Sequence, residues 1–223
     1  MEQNVDHQIL AKGFIRIHKV ITRGIHVVDA RGAEFLKQGF PDQSMQQGFA
    51  NYVQSLVSVL SAHHLGEDEL AFPALKERHI AAPYERLSAH HKEIEMAVDR
   101  VKNSLPALAG AAPLDGLGVV VDIFRRVLAI WRPHIEIEET YFSDQAVAGS
   151  MSPAEQADLN AAMSSHAQEH SGPPFLVLPF VLFNLADSDR SRMAESMPRQ
   201  VVEELIPNEW YRRWETMRPF LLE

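Results

Sequence analysis

The sequence contains no cysteine among its 223 residues. This absence excludes disulfide bonds, thiolate metal ligands and a cysteine nucleophile, and it fits the reducing cytoplasm, where we expect the protein to reside. Basic residues are also scarce, since 21 lysines and arginines face 30 aspartates and glutamates for a formal net charge of -9. We therefore expect no nucleic-acid partner, because such binding needs a basic face.

The sequence also lacks a long apolar run. Its most apolar segment, residues 173–183, contains an internal proline and is shorter than the roughly 20 apolar residues that cross a bilayer. The polar N-terminus, Met1 to Gly13, has no apolar core of a secretion signal. We expect no membrane partner and interpret the apolar segment as a buried or partner-facing helix.

Helical periodicity dominates the first two thirds of the chain. In four stretches apolar residues recur at alternating steps of three and four, and no strand pattern competes with them. The predicted helices run from about Asp6 to about Ala30 with an end near Gly32, from about Asp42 to Ala74, from Tyr84 to Leu105, and from Leu117 to Tyr141. Their short connections favour an all-α fold, an up-down-up-down antiparallel four-helix bundle.

The remaining chain predicts a helical C-terminal extension. Residues 1–148 form the predicted bundle and residues 149–223 the extension. Ser152 and Glu155 flank Pro153 in a capping-box pattern that starts a helix reaching about His170. We expect the extension to pack on the bundle and to provide a contact for a homo-oligomer.

Each predicted bundle helix carries a histidine in phase with its apolar stripe, and two of these histidines are followed by an in-phase glutamate four residues later. The six side chains are His18, His63, Glu67, His91, His134 and Glu138. Burying so many ionisable groups costs several kcal/mol each unless something compensates them. A metal centre is the simplest compensation. The imidazole and carboxylate ligands suggest iron, with zinc or another divalent metal as the alternative.

The ligand arithmetic favours two ions. Two octahedral ions offer about twelve positions, of which four histidines and two bridging carboxylates fill about eight. The others can take a bridging oxo or hydroxo group and an exogenous dioxygen, nitric oxide or peroxide molecule. His64, on the flank of the same helix face as His63, is an additional candidate ligand.

These residues resemble a known family. The motifs are His18, His63-His64-x-x-Glu67-Asp68 followed by Phe72-Pro73, His91-x-x-Ile94, and His134-x3-Glu138-Glu139. Over roughly residues 10 to 145 they look like the hemerythrin-like domain, also called the HHE cation-binding domain. The resemblance implies a four-helix bundle that holds a non-haem di-iron centre. It also implies that Glu67 and Glu138 bridge the irons and that His18, His63, His91 and His134 are terminal ligands.

The sequence departs from the oxygen-carrying members of that family at two points. They carry a second histidine four residues after the helix-3 ligand, where this chain has Glu95, and their helix-4 carboxylate follows its histidine by five residues rather than four. Glu95 is either a replacement ligand or an exposed glutamate. Tyr141, one turn beyond Glu138, is either a hydrogen-bond donor behind the ligands or a core tyrosine.

Three functional hypotheses follow. The first is a protein that binds or senses dioxygen, nitric oxide or iron. The second is an enzyme that reduces peroxide or oxidises a substrate at the same centre. The third is a structural bundle that binds metal incidentally. His166 and His170 share one helix face, and we interpret them as a solvated pair.

Overall fold

The computed structural model describes residues 10–222, in which all regular secondary structure is helical. Four long helices carry the predicted stripes: α1 (Leu10–Gln38), α2 (Gln43–Gly66), α4 (Tyr84–Ala109) and α5 (Pro113–Tyr141). A π-helix (Glu67–Ala71) and the short helix α3 (Phe72–Glu77) lie between α2 and α4. The predicted start of the first helix near Asp6 lies outside the described residues.

The C-terminal part consists of shorter helices. They are α6 (Asp144–Ser150), α7 (Pro153–His170), α8 (Pro174–Phe183), α9 (Asp187–Glu195), a second π-helix (Val201–Glu209), α10 (Tyr211–Trp214) and a 3-10 helix (Glu215–Phe220). The predicted capping box at the start of α7 is confirmed, since Ser152 and Glu155 each accept the other's backbone N–H. In the described part of the chain, no helix combines the length and apolarity that crossing a membrane requires.

The predicted end of the first helix near Gly32 is wrong. α1 continues six residues further, and the glycine that ends it is Gly39, which has a φ of 78° and donates its N–H to Phe35 O at 2.8 Å. Gly32 serves a different purpose inside the helix. A Cβ atom there would lie 2.4 Å from Cγ2 of Val121, so the glycine permits the close approach of α1 and α5.

The predicted stripe on the second helix shifts by one residue after Glu67. Continued beyond Glu67, the helical periodicity of the stripe predicts Leu70 and Ala74 on the inward face, whereas the structure buries Ala71 and Leu75 there. The cause is the π-helix, in which the N–H of Phe72 donates to Glu67 O with one extra residue in the turn.

The prediction that the third helix stops before Pro106 is also wrong, by one turn. α4 includes Pro106 and ends at Ala109, with Leu108 fully buried. Gln46 of α2 donates its side-chain amide to Leu108 O and Gly110 O at 3.0 and 2.8 Å. This cap satisfies carbonyls that a helix end leaves without partners, and it holds the last turn in place.

The buried apolar side chains form two clusters. The larger one fills the space between α1, α2, α4 and α5 and continues into α8, with Trp131 and Phe124 among its largest members. The smaller one lies around Phe14, Phe72 and Phe142. A polar layer lies between these two apolar clusters, and the predicted ligands occupy it. Phe14 and Phe72 of the smaller cluster stack on His18 and His91, while Trp131 of the larger cluster contacts His18 from the other side.

The C-terminal helices pack against α2. Rings of Phe180 and Phe220 lie 4.9 and 5.4 Å from those of Tyr52 and Phe49. A buried polar group joins the same segments, because Asn184 accepts hydrogen bonds from Tyr52 Oη at 2.7 Å and from Arg23. These contacts make one continuous core from the bundle and the C-terminal helices. The division of the chain at residues 148 and 149 stays a prediction.

Candidate metal centre

All six predicted ligands, and His64 with them, lie in the polar layer. α1 contributes His18, α2 contributes His63 and His64, the first π-helix contributes Glu67, α4 contributes His91, and α5 contributes His134 and Glu138. None of these residues is more than 7 % exposed. Charged and polar groups are rarely buried so completely without partners, so the layer needs a compensating interaction.

Glu67 lies between two histidines from different helices. Its Oε1 is 3.4 Å from Nε2 of His63, and its Oε2 is 3.4 Å from Nε2 of His91. The two oxygens of one carboxylate therefore face two separate imidazoles. A carboxylate placed in this way is able to bridge two cations.

Glu138 has a corresponding position on the opposite side. Its Oε2 lies 3.2 Å from Nε2 of His18 and 3.4 Å from Nε2 of His134. Glu67 and Glu138 thus each approach one histidine of the pair His18 and His63 and one of the pair His91 and His134.

Three groups of ligand atoms lie within 4.8 Å of one another, as a shared ion requires. They are His18, His63, Glu67 and Glu138; Glu67, His91, His134 and Glu138; and His64, His91 and His134. The first two groups share both carboxylates. The third brings His64 to the His91 side, where its ring stacks on that of His91 at 4.1 Å.

The unpaired atoms of this layer fit a metal. Both carboxylate oxygens of Glu67 and of Glu138 are buried and have no hydrogen-bond partner, and the same holds for Nε2 of His18 and of His63 and for both ring nitrogens of His64. The Nε2 of His18 lies 3.2 Å from Oε2 of Glu138 without forming a hydrogen bond. Buried polar atoms are normally hydrogen-bonded, so this convergence of unpaired imidazole and carboxylate atoms indicates a cation site.

Two further carboxylates orient the histidines, and sequence reasoning missed their role. Oδ2 of Asp68 is 2.9 Å from Nδ1 of His91, and Oε1 of Glu139 is 2.9 Å from Nδ1 of His18. Such contacts hold the ring and direct Nε2 into the polar layer, where Nε2 of His91 lies 3.2 Å from Nε2 of His134. Each of these residues directly follows a central glutamate. The sequence signal that could have identified them is an acidic pair four and five residues after a histidine. In each pair, the structure directs the second carboxylate to a histidine of another helix.

Trp131 closes the layer toward the larger apolar cluster. Its ring centroid lies 5.5 to 5.9 Å from those of His18, His63, His64 and His134. Its Nε1 donates to Oγ1 of Thr22 at 2.8 Å, so its one polar atom is satisfied away from the site. The indole therefore contributes an apolar wall that keeps water from the imidazoles on this side.

Protonation of the metal-free protein divides the histidines into two classes. Burial opposes the charged form of His18 and His91, but the carboxylates around them outweigh burial and raise each pKa to about 9. Burial and the neighbouring imidazoles lower the pKa of His134 to about 2 and the pKa values of His63 and His64 well below the ordinary range. Burial and the Glu138 carboxylate raise the pKa of Glu67 to about 7. Without a metal, protons on His18 and His91 compensate the two central glutamates.

Two candidate residues, Glu95 and Tyr141, lie outside the ligand groups found among the described residues. The carboxylate of Glu95 is 40 % exposed, pairs with Nζ of Lys102 at 2.7 Å and accepts from Ser61, which fits the exposed-glutamate alternative. Tyr141 is 43 % exposed and therefore is not a core tyrosine. Nε2 of His166 donates to Oε2 of Glu69 at 2.9 Å, and the His166 ring lies 4.3 Å from that of His170. Within the described residues, neither of these histidines belongs to a ligand group.

Comparison with known proteins identifies the family of this chain. A search of curated proteins found no match, and a search of solved structures found none. The sequence profile of the hemerythrin HHE cation-binding domain matches residues 10–170, which includes every residue of the polar layer and continues to the end of α7. The chain therefore belongs to the hemerythrin HHE cation-binding domain family.

Proposed function

We propose that this protein holds two iron ions in the polar layer and binds or senses a small ligand there, dioxygen or nitric oxide, or responds to iron itself. The observation that carries the proposal is the pair of four-residue ligand groups that share Glu67 and Glu138. A single ion would leave two histidines without a function in the layer, whereas two ions use all four.

The proposed ligand roles follow from the contacts. His18 and His63 would hold one ion, and His91 and His134 the other. Glu67 and Glu138 would bridge them. His64 would be an additional ligand on the His91 side, supported by its two unpaired ring nitrogens. Bound iron would supply a change of redox state and open coordination positions for a small ligand.

The proposal includes an up-down-up-down order of the four long helices. The position of the site along each helix supports it. His18 lies near the start of α1, His63 near the end of α2, His91 near the start of α4, and His134 near the end of α5. A common level with alternating starts and ends is what antiparallel neighbours produce.

Imidazole and carboxylate ligands, with no thiolate among them, favour iron over metals that prefer sulfur ligands, although zinc also binds imidazole and carboxylate. The proposed small ligand matches the enclosure of the layer by Trp131 and by the smaller apolar cluster. We also propose a cytoplasmic location, which the lack of cysteine supports.

Metal analysis of the purified protein tests the site. We expect two iron ions per chain, and at most one in His63→Ala or Glu138→Ala. His26→Ala is the matched control, because His26 is an exposed histidine of α1, and it should keep the wild-type content. Unchanged iron content in both site variants would reject the assignment.

Optical spectroscopy tests the function. The reduced, iron-loaded protein should change its absorption on exposure to dioxygen or nitric oxide and recover when the gas is removed. Rapid multiple turnovers of peroxide with a reductant would instead support the enzyme hypothesis. A substoichiometric metal content, with no loss of thermal stability on chelation, would support the structural hypothesis.

A further inference from the structure

A cavity lies between the bundle and the C-terminal helices. Its volume is about 260 Å³, close to the lower end of the roughly 300–1,000 Å³ that small-molecule sites occupy. Its inner wall includes Val59, Ala62 and His63 of α2 and Val177 and Val181 of α8, all of them buried. The cavity thus connects the C-terminal helices with the back of a proposed iron ligand.

The outer part of the cavity opens to solvent. Exposed polar side chains stand at its rim, namely Ser164, Gln168 and Ser196. Three methionines with partly exposed side chains line the passage between rim and wall, Met163, Met193 and Met197. Methionine is flexible and adapts to apolar ligands of varied shape. A rim of this kind permits entry, and an apolar interior favours an apolar tail.

The charges that line the cavity are all positive. Arg16 and Arg192 both contribute to it, and no aspartate or glutamate of the described residues does, although the chain as a whole carries a net charge of -9. Asp189 and Glu195 approach these arginines at 3.8 and 4.0 Å, but neither acid lines the cavity. The charged surface that faces the cavity is therefore positive and favours an anionic group.

Arg16 is the better placed of the two arginines. It is 9 % exposed, and its Nε makes no hydrogen bond. The nearest carboxylate oxygen, Oδ1 of Asp189, is 3.8 Å away, while Asp189 itself bonds Nζ of Lys19 at 2.7 Å. A buried guanidinium with an unused donor recognises a carboxylate well, since its planar fork binds both oxygens.

We propose that this cavity binds a small apolar monocarboxylate, with its carboxylate on Arg16 and Arg192 and its alkyl tail along Val59, Val177 and Val181 toward His63. The cavity brings a guanidinium and an apolar lining together in one space. The site is separate from the ligand groups and adjoins them only at His63.

Calorimetric titration of the full-length protein with octanoate tests the proposal. Octanoate should bind with a stoichiometry of one. Octanol should bind at least about tenfold more weakly, because it lacks the charge-assisted hydrogen bond to the guanidinium. Octylamine should show no binding, because its ammonium group is repelled by the guanidinium. Equal binding of octanoate and octanol, or no binding of octanoate, would overturn it.

Variants locate the site. Arg16→Met keeps an apolar side chain of similar length and should weaken octanoate binding about tenfold or more. Lys19→Met is the control, because it also removes a positive charge beside Asp189 but lies outside the cavity. This variant should bind octanoate as the wild type does. Ala167→Phe fills the cavity from α7 and should abolish binding. Helix content and iron content are measured in each variant. Binding that survives both Arg16→Met and Ala167→Phe would place the ligand elsewhere.

The contact with His63 rests on the proposed function and has its own readout. Saturating octanoate should shift the absorption of the iron-loaded protein, and an unchanged spectrum would overturn the placement of the tail beside His63. The calorimetric result does not depend on iron, since the titration is repeated with chelated protein. Loss of octanoate binding with two irons retained rejects only the cavity proposal. Octanoate binding by a protein that takes up no iron when iron is supplied would reject only the proposed function.

Discussion

His18 and His91 are the histidines with the most constrained rings. In each, Nε2 faces a central glutamate and Nδ1 contacts a partly exposed carboxylate at 2.9 Å. The second contact selects the tautomer that leaves Nε2 available for a metal. Glu139 and Asp68 therefore act on the centre through another residue.

Replacement of Glu139 tests this positioning role. Glu139→Gln should weaken iron binding roughly 10- to 100-fold, because the amide orients His18 less firmly and supports its basicity less. Competition with a chelator of known affinity measures the change. Glu136→Gln, an exposed glutamate on the same helix, is the control and should leave affinity unchanged. Equal affinities for the wild type and the Glu139 variant would contradict the role.

The pKa values of His18 and His91 predict how the stability of the metal-free protein depends on pH. His18 and His91 have a pKa of about 9 in the folded protein, against 6.5 for a free imidazole. The folded state therefore binds these protons more tightly than the unfolded state. The resulting stabilisation is complete below pH 6.5 and is lost as the pH rises through 9, a loss of a few kcal/mol.

Denaturant unfolding of chelated protein between pH 7 and pH 10 measures this loss. The lowered pKa values of His63, His64 and His134 do not contribute in this window, because those groups are neutral in both states above pH 7. Iron-loaded protein should show a flatter profile, since iron keeps the rings deprotonated, and chelated His18→Ala should lose less stability than the chelated wild type. A chelated protein that gains stability over this range would contradict the assignment.

At the scale of the helices, two local irregularities adjust the bundle to the site. The π-helix after Glu67 shifts the inward face by one residue, so that Phe72 stacks on His91 at 5.4 Å with an angle of 14°. π-turns of this kind often occur at functional sites. Gly32 performs the second adjustment by letting α1 approach α5.

A side chain at Gly32 should disturb that approach. In Gly32→Ala the new Cβ would lie 2.4 Å from the stiff, β-branched Val121, and we expect a loss of roughly 1–3 kcal/mol in the free energy of unfolding despite the higher helix propensity of alanine. Chemical denaturation measures it. Gly118→Ala is the control, because the nearest atom there is 4.0 Å away, and it should be neutral or stabilising. Equal effects of the two substitutions would contradict the close approach.

At the scale of the whole molecule, the C-terminal helices complete the core of the bundle. Phe220 packs on Phe35, Phe49 and Tyr52, and its carbonyl accepts a hydrogen bond from Arg23 at 2.9 Å. The large core therefore depends on a segment more than 70 residues beyond the last ligand. A homo-oligomer formed through these helices stays a prediction, to be measured by the mass of the protein in solution.

Gly48 is the point of closest contact between α2 and the C-terminal segment. A Cβ there would lie 1.9 Å from the backbone O of Thr216, which a rotamer change cannot relieve. Gly48→Ala should displace the 3-10 helix and lower the free energy of unfolding by about 2 kcal/mol or more. Gly149→Ala is the control, because a Cβ at that position would have no atom within 4 Å, and it should leave the free energy of unfolding unchanged. Iron content should remain near the wild-type value, because the ligands lie on other turns. Wild-type stability of the Gly48 variant would contradict this packing.

The sequence by itself determined the helical class and the side chains that meet in the polar layer. Helical periodicity is a local property, so His91 is distinguished from His90, and Glu138 from Glu139, by phase with the neighbouring apolar residues. The same local rule failed wherever another part of the chain intervened. It missed the π-turn before Pro73, it treated Gly32 as a helix end, and it did not assign Asp68 and Glu139 to histidines on other helices.

Only the tertiary structure decided those points, together with the cavity and the attachment of the C-terminal helices. Each depends on contacts between residues far apart in the chain, such as His18 with Glu139 or Gly48 with Thr216. No spacing rule within one helix reports which distant side chain fills a neighbouring space. Phase along a helix tells which residues face inward, and packing between helices decides what they meet there.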